Sequence, residues 1–293
     1  MRVIVEKIPS WRKWSRRRIS LEILLNRVSH PAVAGISFTG SVPTGRKIAQ
    51  GAIQHMKKIQ MEMGGKNPMV IMEDADLDIA IPVTINGAFY QTGQRCTASS
   101  RVIVHEKIYD AFVERFVSEM DKLSVGPALD PKTQIGPVVS DTQLKSNLSY
   151  VEIARNEGCE VVSGQHLAER NTGYFQRPGV FLNANNKMRS SREEIFGPVA
   201  SIIKVGDFEE AVATANDTEF GLSSAICTRS LYYAREFKRL SEAGMAMVNL
   251  PTAGVDYHVP FGGRKNSSYG SREQGRAAID FYTTTKTTYS FAG

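Results

Sequence analysis

Short apolar runs alternate with helical patterns along the chain from about residue 33, and this alternation constrains the fold more than any other feature. We predict a strand wherever such a run is short and bounded by turn-forming residues. The predicted strands cover residues 32–38, 69–72, 101–105, 159–162, 200–205, 222–227 and 246–250.

Helices are predicted between these strands. Ile108, Phe112, Phe116 and Met120 recur every four residues and form one apolar stripe, as on a helix packed against a sheet. Strands and helices that alternate with short connections predict an α/β fold with a largely parallel sheet. The other predicted helices cover residues 43–52, a segment after an acidic cap at 74 or 76, and residues 144–157, 207–216 and 230–240.

The net charge of +6 is concentrated in the first 20 residues, which hold seven basic side chains and one acid. The remainder carries 29 basic and 29 acidic side chains and is therefore neutral. A basic segment of this kind could bind nucleic acid or an anionic membrane. Terminal segments are more often poorly ordered, so we expect neither a nucleic-acid partner nor a membrane partner.

The three cysteines, Cys96, Cys159 and Cys227, are an odd number without CxxC spacing. This pattern indicates neither a disulfide scaffold nor a zinc site. No apolar run approaches the roughly 18–20 residues that a membrane-spanning helix needs. We therefore expect a globular protein of the reducing cytoplasm without a bound metal.

Two short stretches contain residue types suited to covalent catalysis. Cys96 follows Arg95 and precedes small residues, so a neighbouring cation could favour its thiolate form, although a single cysteine is more often inert core. Glu62 lies between two methionines and precedes two glycines. An apolar setting would raise its pKa and make it a usable general base, whereas pairing with Lys66 would make it structural.

Two further stretches have features of a nucleotide site. Gly40 and Ser41 end a predicted strand before a helix, where the carboxyl edge of an α/β sheet and a helix N-terminus suit a phosphate. Glu194 and Phe196 lie in a loop before a strand, where a carboxylate can hold ribose hydroxyls and an aromatic ring can pack on a flat ring. Each stretch alone also fits an ordinary turn.

Together the four stretches are specific, in the chain order Phe38–Ser41, Met61–Lys66, Gly93–Cys96 and Glu193–Pro198. With the later sequence Pro260-Phe261-Gly262-Gly263-Arg264-Lys265, the chain resembles the C-terminal portion of the NAD(P)-dependent aldehyde dehydrogenase superfamily from about residue 28 onward. The stretches around Cys96 and Tyr269–Gly275 look most like the α-ketoglutaric semialdehyde dehydrogenase branch. The resemblance implies an aldehyde dehydrogenase-like α/β fold that uses NAD or NADP.

The resemblance also implies a role for each candidate residue. Cys96 matches the family nucleophile, which attacks an aldehyde, and Glu62 matches the base that activates water to release the acid. Glu194 matches the residue that holds the nicotinamide ribose, with Phe196 beside it. The cofactor-binding residues Gly40 and Ser41 match positions near the nicotinamide and the pyrophosphate.

By resemblance, the chain is divided into four segments: a non-matching basic segment (1–20), a remnant of the dinucleotide-binding domain (21–64), a catalytic domain (65–275) and a C-terminal oligomerisation arm (276–293). The family sequence begins well upstream, so we expect a truncated chain with impaired activity. The alternative is a non-catalytic fragment that associates with full-length subunits.

The threonine-rich segment 282–290 is predicted to be a polar strand. The resemblance implies a homo-oligomer in which this strand pairs with another subunit, and the alternative is an intramolecular edge strand or a frayed tail. Arg95 predicts a substrate that carries a carboxylate, because guanidinium recognises carboxylates in bidentate fashion. The alternative is that Arg95 points away and pairs with a structural acid.

Overall fold

The computed structural model describes residues 28–167 and 173–293, so the basic segment 1–20 lies outside the described residues. The chain divides into two compact units. The first unit contains residues 28–63, Val255–Gly262 and Asn266–Gly293. The second contains Gly64–Gly254 and Gly263–Lys265.

The strands and helices alternate along the chain as the apolar runs predict. In chain order they are β1 (Gly35–Thr39), α1 (Val42–Ile53), β2 (Lys58–Glu62), β3 (Asn67–Ile71), α2 (Leu77–Phe89), β4 (Ser99–His105), α3 (Tyr109–Asp121), α4 (Asp141–Asn156), β5 (Glu160–Ser163), β6 (Gly179–Ala184), α5 (Arg189–Arg192), β7 (Val199–Val205), α6 (Phe208–Asn216), β8 (Phe220–Gly221), β9 (Ser223–Cys227), α7 (Leu231–Leu240), β10 (Met245–Val248), β11 (Arg264–Lys265), β12 (Ser268–Gly270) and α8 (Ala277–Tyr282).

A seven-stranded sheet in the order β10-β9-β3-β4-β7-β6-β5 forms the centre of the second unit. Its neighbouring strands are parallel, except that β5 is antiparallel to β6. Met69 and Ile71 of β3 pack in one hydrophobic core and Val70 packs in another. A strand covered on both faces has no polar side, which explains its continuous apolar sequence.

Helices α2 and α3 supply the first of these cores, and α4, α6 and α7 supply the second. In the first core, Phe116 stacks on Phe112 with ring centroids 5.3 Å apart and on Phe89 at 5.7 Å. The stripe predicted on α3 is therefore confirmed as a buried face.

The first unit contains a three-stranded sheet in the order β1-β2-β12, in which β2 is parallel to β1 and antiparallel to β12. A small core beside it joins side chains of β1, β2 and α1 to Val28 and Met63. The strand register places Glu62 opposite Thr39 on one side and opposite Ser268 on the other. The last residue of β2 is thus fixed from both sides.

The predicted α/β class with a largely parallel sheet is confirmed, and the functional names given to the four segments stay predictions. Strands β2 and β6 and helix α8 are not among the predicted elements. The strand predicted at 282–290 is not formed within the chain, because Tyr282 ends helix α8 and residues 283–293 contain no helix or strand. The intramolecular edge strand is therefore wrong, and pairing with another subunit stays a prediction. Among the described residues, no helix is both long and apolar enough to cross a membrane.

Replacing Phe116 with alanine should lower the free energy of unfolding by about 3–5 kcal/mol, because the cavity is enclosed by rings that cannot collapse into it. Urea denaturation followed by circular dichroism measures this loss. Glu114→Ala, at an exposed position of the same helix, is the matched control and should change stability by less than about 0.5 kcal/mol. Equal losses in the two variants would contradict the assignment of this core.

Candidate active site

The backbone before Cys96 turns through the left-handed region for three successive residues. Gln91, Thr92 and Gly93 have φ values of 55°, 62° and 62°. A β-branched residue rarely adopts such a conformation, so the surroundings must impose it. Gly93 has no room for a Cβ atom, because the carbonyl of Gly197 occupies that space. The turn therefore brings the cysteine segment directly against the 193–198 loop.

Asn67, at the start of β3, fixes the backbone of the cysteine itself. Its Nδ2 donates to the Cys96 carbonyl at 2.8 Å and to the Ala98 carbonyl at 2.9 Å, and its Oδ1 accepts from the Ser223 amide at 3.0 Å. The side chain is 2% exposed, so these bonds form away from water. One buried amide thus links β3 and β9 to the backbone around Cys96.

Thr252 secures the residues that follow the cysteine. Its hydroxyl donates to the Thr97 carbonyl at 2.7 Å, and it also lies 2.7 Å from the Ser99 hydroxyl. Both hydroxyl groups are buried. The entry into β4 is therefore held by side chains as well as by the strand ladder.

Arg95 contacts the last turn of α2. Its Nη2 donates to the Asn86 carbonyl and, at 3.3 Å, to the Gly87 carbonyl. Burial lowers the pKa of the guanidinium, and the thiol of Cys96 acts in the opposite direction. These contacts differ from the predicted pairing with a structural acid, since the partners are neutral carbonyls at a helix C-terminus, where a cation is favourable. The predicted role of Arg95 in substrate binding stays a prediction.

The three cysteines lie in different surroundings. Cys96 is partly exposed, whereas Cys159 and Cys227 are buried. Burial raises the pKa of the Cys227 thiol to about 12, and burial beside Glu157 raises that of Cys159. Since the thiolate is the reactive form, the two buried thiols are poorly suited to nucleophilic attack at neutral pH.

The Glu194 carboxylate fits into a space that paired glycines leave open. The Gly65 amide donates to Glu194 Oε1 at 3.1 Å, and a Cβ atom on Gly64 would overlap the carboxylate. Burial raises the pKa of Glu194, while the Gly65 amide and the charge of Lys66 oppose that rise. A Cβ on Gly65 would lie 2.6 Å from the Cys96 carbonyl, so the same pair of glycines also makes room for the nucleophile segment.

Phe196 also has a left-handed backbone, with φ at 60°, and its side chain is 37% exposed. Gln143 Nε2 on α4 supports this conformation by donating to the Ile195 carbonyl at 2.9 Å. The buried amides of Asn147 and Gln176 continue the network beneath the loop. This hydrogen-bond network therefore holds the loop in a conformation that leaves the Phe196 ring partly exposed to solvent.

One cleft of the second unit brings three predicted site residues together, because Arg95, Glu194 and Phe196 all line it. Gly65 and Gly93 form part of the same wall. A buried carboxylate beside an exposed ring is suited to the hydroxyl groups and flat base of a nucleoside.

Glu62, in the first unit, has a strongly perturbed carboxyl group. It is 2% exposed, and burial raises its pKa to about 8. The Ser268 hydroxyl donates to Oε2 at 2.6 Å and limits that rise, whereas the charge of Glu273 adds to it. Oε1 is buried without a hydrogen-bond partner among the described residues. A carboxylate with one free oxygen and a pKa near neutrality is suited to accept a proton.

Gly40 and Ser41 lie in the same unit, at the junction of β1 and α1. The Gly40 amide donates to the Glu62 carbonyl at 3.0 Å, so the structure brings these two candidates together. Ser41 precedes α1 but does not cap it: its hydroxyl lies 3.0 Å from that of Thr44. A helix start without a side-chain cap or an acid in its first turn can accept an anion.

Comparison with known proteins decides the family. A family model described as "Aldehyde dehydrogenase family" matches residues 22–288, which is most of the chain. The chain belongs to the aldehyde dehydrogenase family.

Individual members of the family support this assignment. The α-ketoglutaric semialdehyde dehydrogenase of Bacillus subtilis (strain 168) is 43% identical over 89% of this chain and 54% of its own length. The α-ketoglutarate semialdehyde dehydrogenase of Haloferax volcanii is 45% identical over 87% of this chain and 53% of its own. A crystal structure of an NAD-dependent aldehyde dehydrogenase from Sinorhizobium meliloti has a TM-score of 0.86 at 35% identity, covering 89% of this chain and 51% of that one. The predicted resemblance is confirmed, and the chain spans about half the length of the relatives it matches.

The sequence patterns leave out several residues that hold the candidate side chains in place. Asn67, Ser268 and Thr252 hold Glu62 or the cysteine segment, but each is a common polar residue without a distinctive neighbourhood in sequence. Asn67 alone offers a signal, since it opens a buried strand beside the paired glycines. Among the described residues, no group of three or more metal-ligating acidic, histidine or cysteine side chains is present.

Cys96 should react with iodoacetamide at least about 100-fold faster than Cys159 and Cys227, because it is the partly exposed thiol and the other two have raised pKa values. Mass spectrometry of tryptic peptides over a time course gives the three rates. The Cys96→Ser variant is the control and should leave the folded protein almost unlabelled. Similar rates for all three thiols in folded protein would argue against Cys96 as nucleophile.

Proposed function

We propose that this chain carries the chemistry of NAD(P)-dependent aldehyde oxidation through a cysteine thioester. The observation that carries the proposal is the partly exposed Cys96, whose carbonyl is fixed by Asn67 and whose segment lies against the loop of Glu194 and Phe196. Family membership supports the same reaction.

In the proposed reaction, the Cys96 thiolate attacks the aldehyde carbon and forms a thiohemiacetal. The Arg95 cation lies near the thiol and favours its ionised form. NAD or NADP, when bound, would supply the hydride acceptor for the thiohemiacetal carbon, so that Cys96 would then carry a thioester. Glu194 would hold the nicotinamide ribose and Phe196 would pack beside the ring, while Gly40 and Ser41 would lie near the pyrophosphate.

Glu62 is proposed to remove a proton from the water that hydrolyses the thioester. Its raised pKa allows it to accept that proton near neutral pH and to release it afterwards. The Ser268 hydroxyl holds one carboxylate oxygen and leaves the other for the water.

A semialdehyde that carries a carboxylate is the proposed substrate. Two relatives with more than 40% identity are named for such a semialdehyde. Arg95 is the proposed carboxylate-binding residue. Its hydrogen bonds to Asn86 and Gly87 involve Nη2, and none within the described residues involves the other terminal nitrogen, Nη1. A substrate carboxylate could therefore use donors that the helix end does not.

We further propose a homo-oligomer joined through residues 282–290 and a location in the reducing cytoplasm, where Cys96 stays a free thiol. A second candidate function is a non-catalytic fragment that associates with full-length subunits. Its support is the C-terminal segment 283–293, which is exposed and contains neither a helix nor a strand.

Ester hydrolysis tests the nucleophile and the base without cofactor. With 4-nitrophenyl acetate, the steady-state rate should rise with pH through a midpoint near 8, because Glu62 acts only when it is deprotonated. Ser268→Ala should move the midpoint to higher pH, since it removes the hydrogen bond that lowers the pKa. Stopped-flow absorbance measures the initial burst of nitrophenol, and steady-state absorbance at several pH values measures the slower turnover.

The controls in that assay separate the two residues. Glu62→Gln should keep the initial burst of nitrophenol and lose the pH-dependent steady state by about 100-fold, within the range typical of a general base. Cys96→Ser should lose the burst as well. A Glu62→Gln variant with the pH profile of the wild type would reject the proposed base, and the absence of a burst in the wild type would favour the non-catalytic fragment.

Arg95→Met tests the proposed substrate class in the same assay. For 4-nitrophenyl hydrogen succinate, kcat/KM should fall by a factor that corresponds to a loss of about 1.5–3 kcal/mol in transition-state stabilisation. This is the typical contribution of a hydrogen bond to a charged group. The neutral 4-nitrophenyl butyrate is the matched substrate and should be little affected. Equal losses for both esters would show that Arg95 supports the fold or the thiolate and does not select the substrate.

A further inference from the structure

Lys66 is a buried lysine that the proposed reaction does not use. It is 1% exposed and precedes β3 directly. Its Nζ donates to the Ser190 carbonyl at 2.8 Å, on the short helix that leads into the Glu194 loop. Its own carbonyl accepts from Arg101 Nε at 3.1 Å. The residue is thus tied at its backbone and at its side chain.

Arg101 places a second cation beside this lysine. It is fully buried, and its two terminal nitrogens donate to neutral acceptors: Asn186 Oδ1 at 2.8 Å, the Thr214 carbonyl at 2.7 Å and the Ala215 carbonyl at 2.9 Å. Burial and this neighbour lower the pKa of Lys66 to about 7. The charges that favour protonated Lys66 are Glu194 first and Glu193 second.

Glu193 does not need the lysine. Its carboxylate binds the Arg189 guanidinium at 2.9 Å and accepts from the Tyr150 hydroxyl at 2.6 Å, and these contacts lower its pKa. Glu194 has the opposite balance: burial raises its pKa, and the Gly65 amide and Lys66 are what oppose the rise. After the Gly65 amide, Lys66 is the neighbouring charge that opposes the rise in the pKa of Glu194.

We infer that Lys66 is a positioning residue that keeps the Glu194 carboxylate ionised and its loop in place, without touching the cofactor itself. The inference rests on the proposed function, in which ionised Glu194 holds the nicotinamide ribose. Two interactions act together: the hydrogen bond to the Ser190 carbonyl fixes the helix that leads into the loop, and the ammonium charge stabilises the Glu194 carboxylate near the start of the loop.

The charge coupling is tested first without cofactor, by NMR titration of Lys66 Cε in protein labelled with 13C-lysine. The signal is assigned by its absence from the spectrum of Lys66→Arg. Glu194→Gln should lower the titration midpoint of Lys66 by about one pH unit, because an opposite charge is lost. Glu193→Gln is the matched control and should lower it less. An unchanged midpoint in Glu194→Gln overturns the inference, whether or not Lys66→Met folds.

Binding is tested second, with nicotinamide riboside, which has no titrating phosphate, followed by saturation-transfer NMR between pH 5 and 9. The wild type should lose affinity as Glu194 becomes protonated, and Lys66→Met should move that midpoint upward by about one pH unit. At the wild-type midpoint, one unit below the new one, the ionised fraction of Glu194 falls from one half to about one eleventh, which corresponds to roughly fivefold weaker binding. Glu194→Gln should bind weakly with no midpoint, alone or combined with Lys66→Met.

The outcomes separate this inference from the proposed function. A wild type that binds nicotinamide riboside with a pH midpoint, together with a Lys66→Met variant that has the same midpoint, rejects the role of Lys66 and leaves the cofactor site intact. A wild type that does not bind the riboside rejects the cofactor site, and with it the positioning role. A shifted midpoint supports both.

Discussion

The backbone around Cys96 is held in place by the buried side-chain amide of Asn67. Its three hydrogen bonds join the start of β3, the carbonyls of Cys96 and Ala98, and the amide of Ser223 at the start of β9. The paired glycines before it leave space for two other groups, the Cys96 carbonyl and the Glu194 carboxylate. A single side chain larger than hydrogen at either glycine would push apart groups that come from distant parts of the sequence.

Burial favours the neutral form of four charged residues, one in the first unit and three in the second. Burial raises the pKa of Glu62 and Glu194 and lowers that of Lys66 and Arg95. Hydrogen bonds then restore part of the charged form, from Ser268 to Glu62 and from the Gly65 amide to Glu194. The protonation states are therefore set by a balance between burial and local hydrogen bonds, which explains why ordinary residue types have unusual pKa values here.

Local signals in the sequence predicted the helices well, because a cap and an apolar period are encoded within a few residues. Asp76, one of the two predicted caps, accepts from the Asp78 amide at the start of α2. Strand β2 is not an apolar run, because polar and apolar residues alternate through it, and its pairing partners are remote. The reason for the two glycines was equally hidden, because Glu194 lies 129 residues beyond Gly65. The contact of Arg95 with α2 depends on where a helix ends in space.

The buried Glu62 carboxyl also couples protons to folding. Its pKa is about 8 in the folded chain and near its ordinary value of 4.5 when water surrounds it, so folding takes up a proton between these values. The stability that this group contributes is complete below pH 4.5 and is lost as pH rises through about 8. Alkaline conditions that deprotonate the carboxyl therefore weaken the strand that carries it. Denaturation curves measured at several pH values would show the free energy of unfolding falling as the Glu62 carboxyl loses its proton.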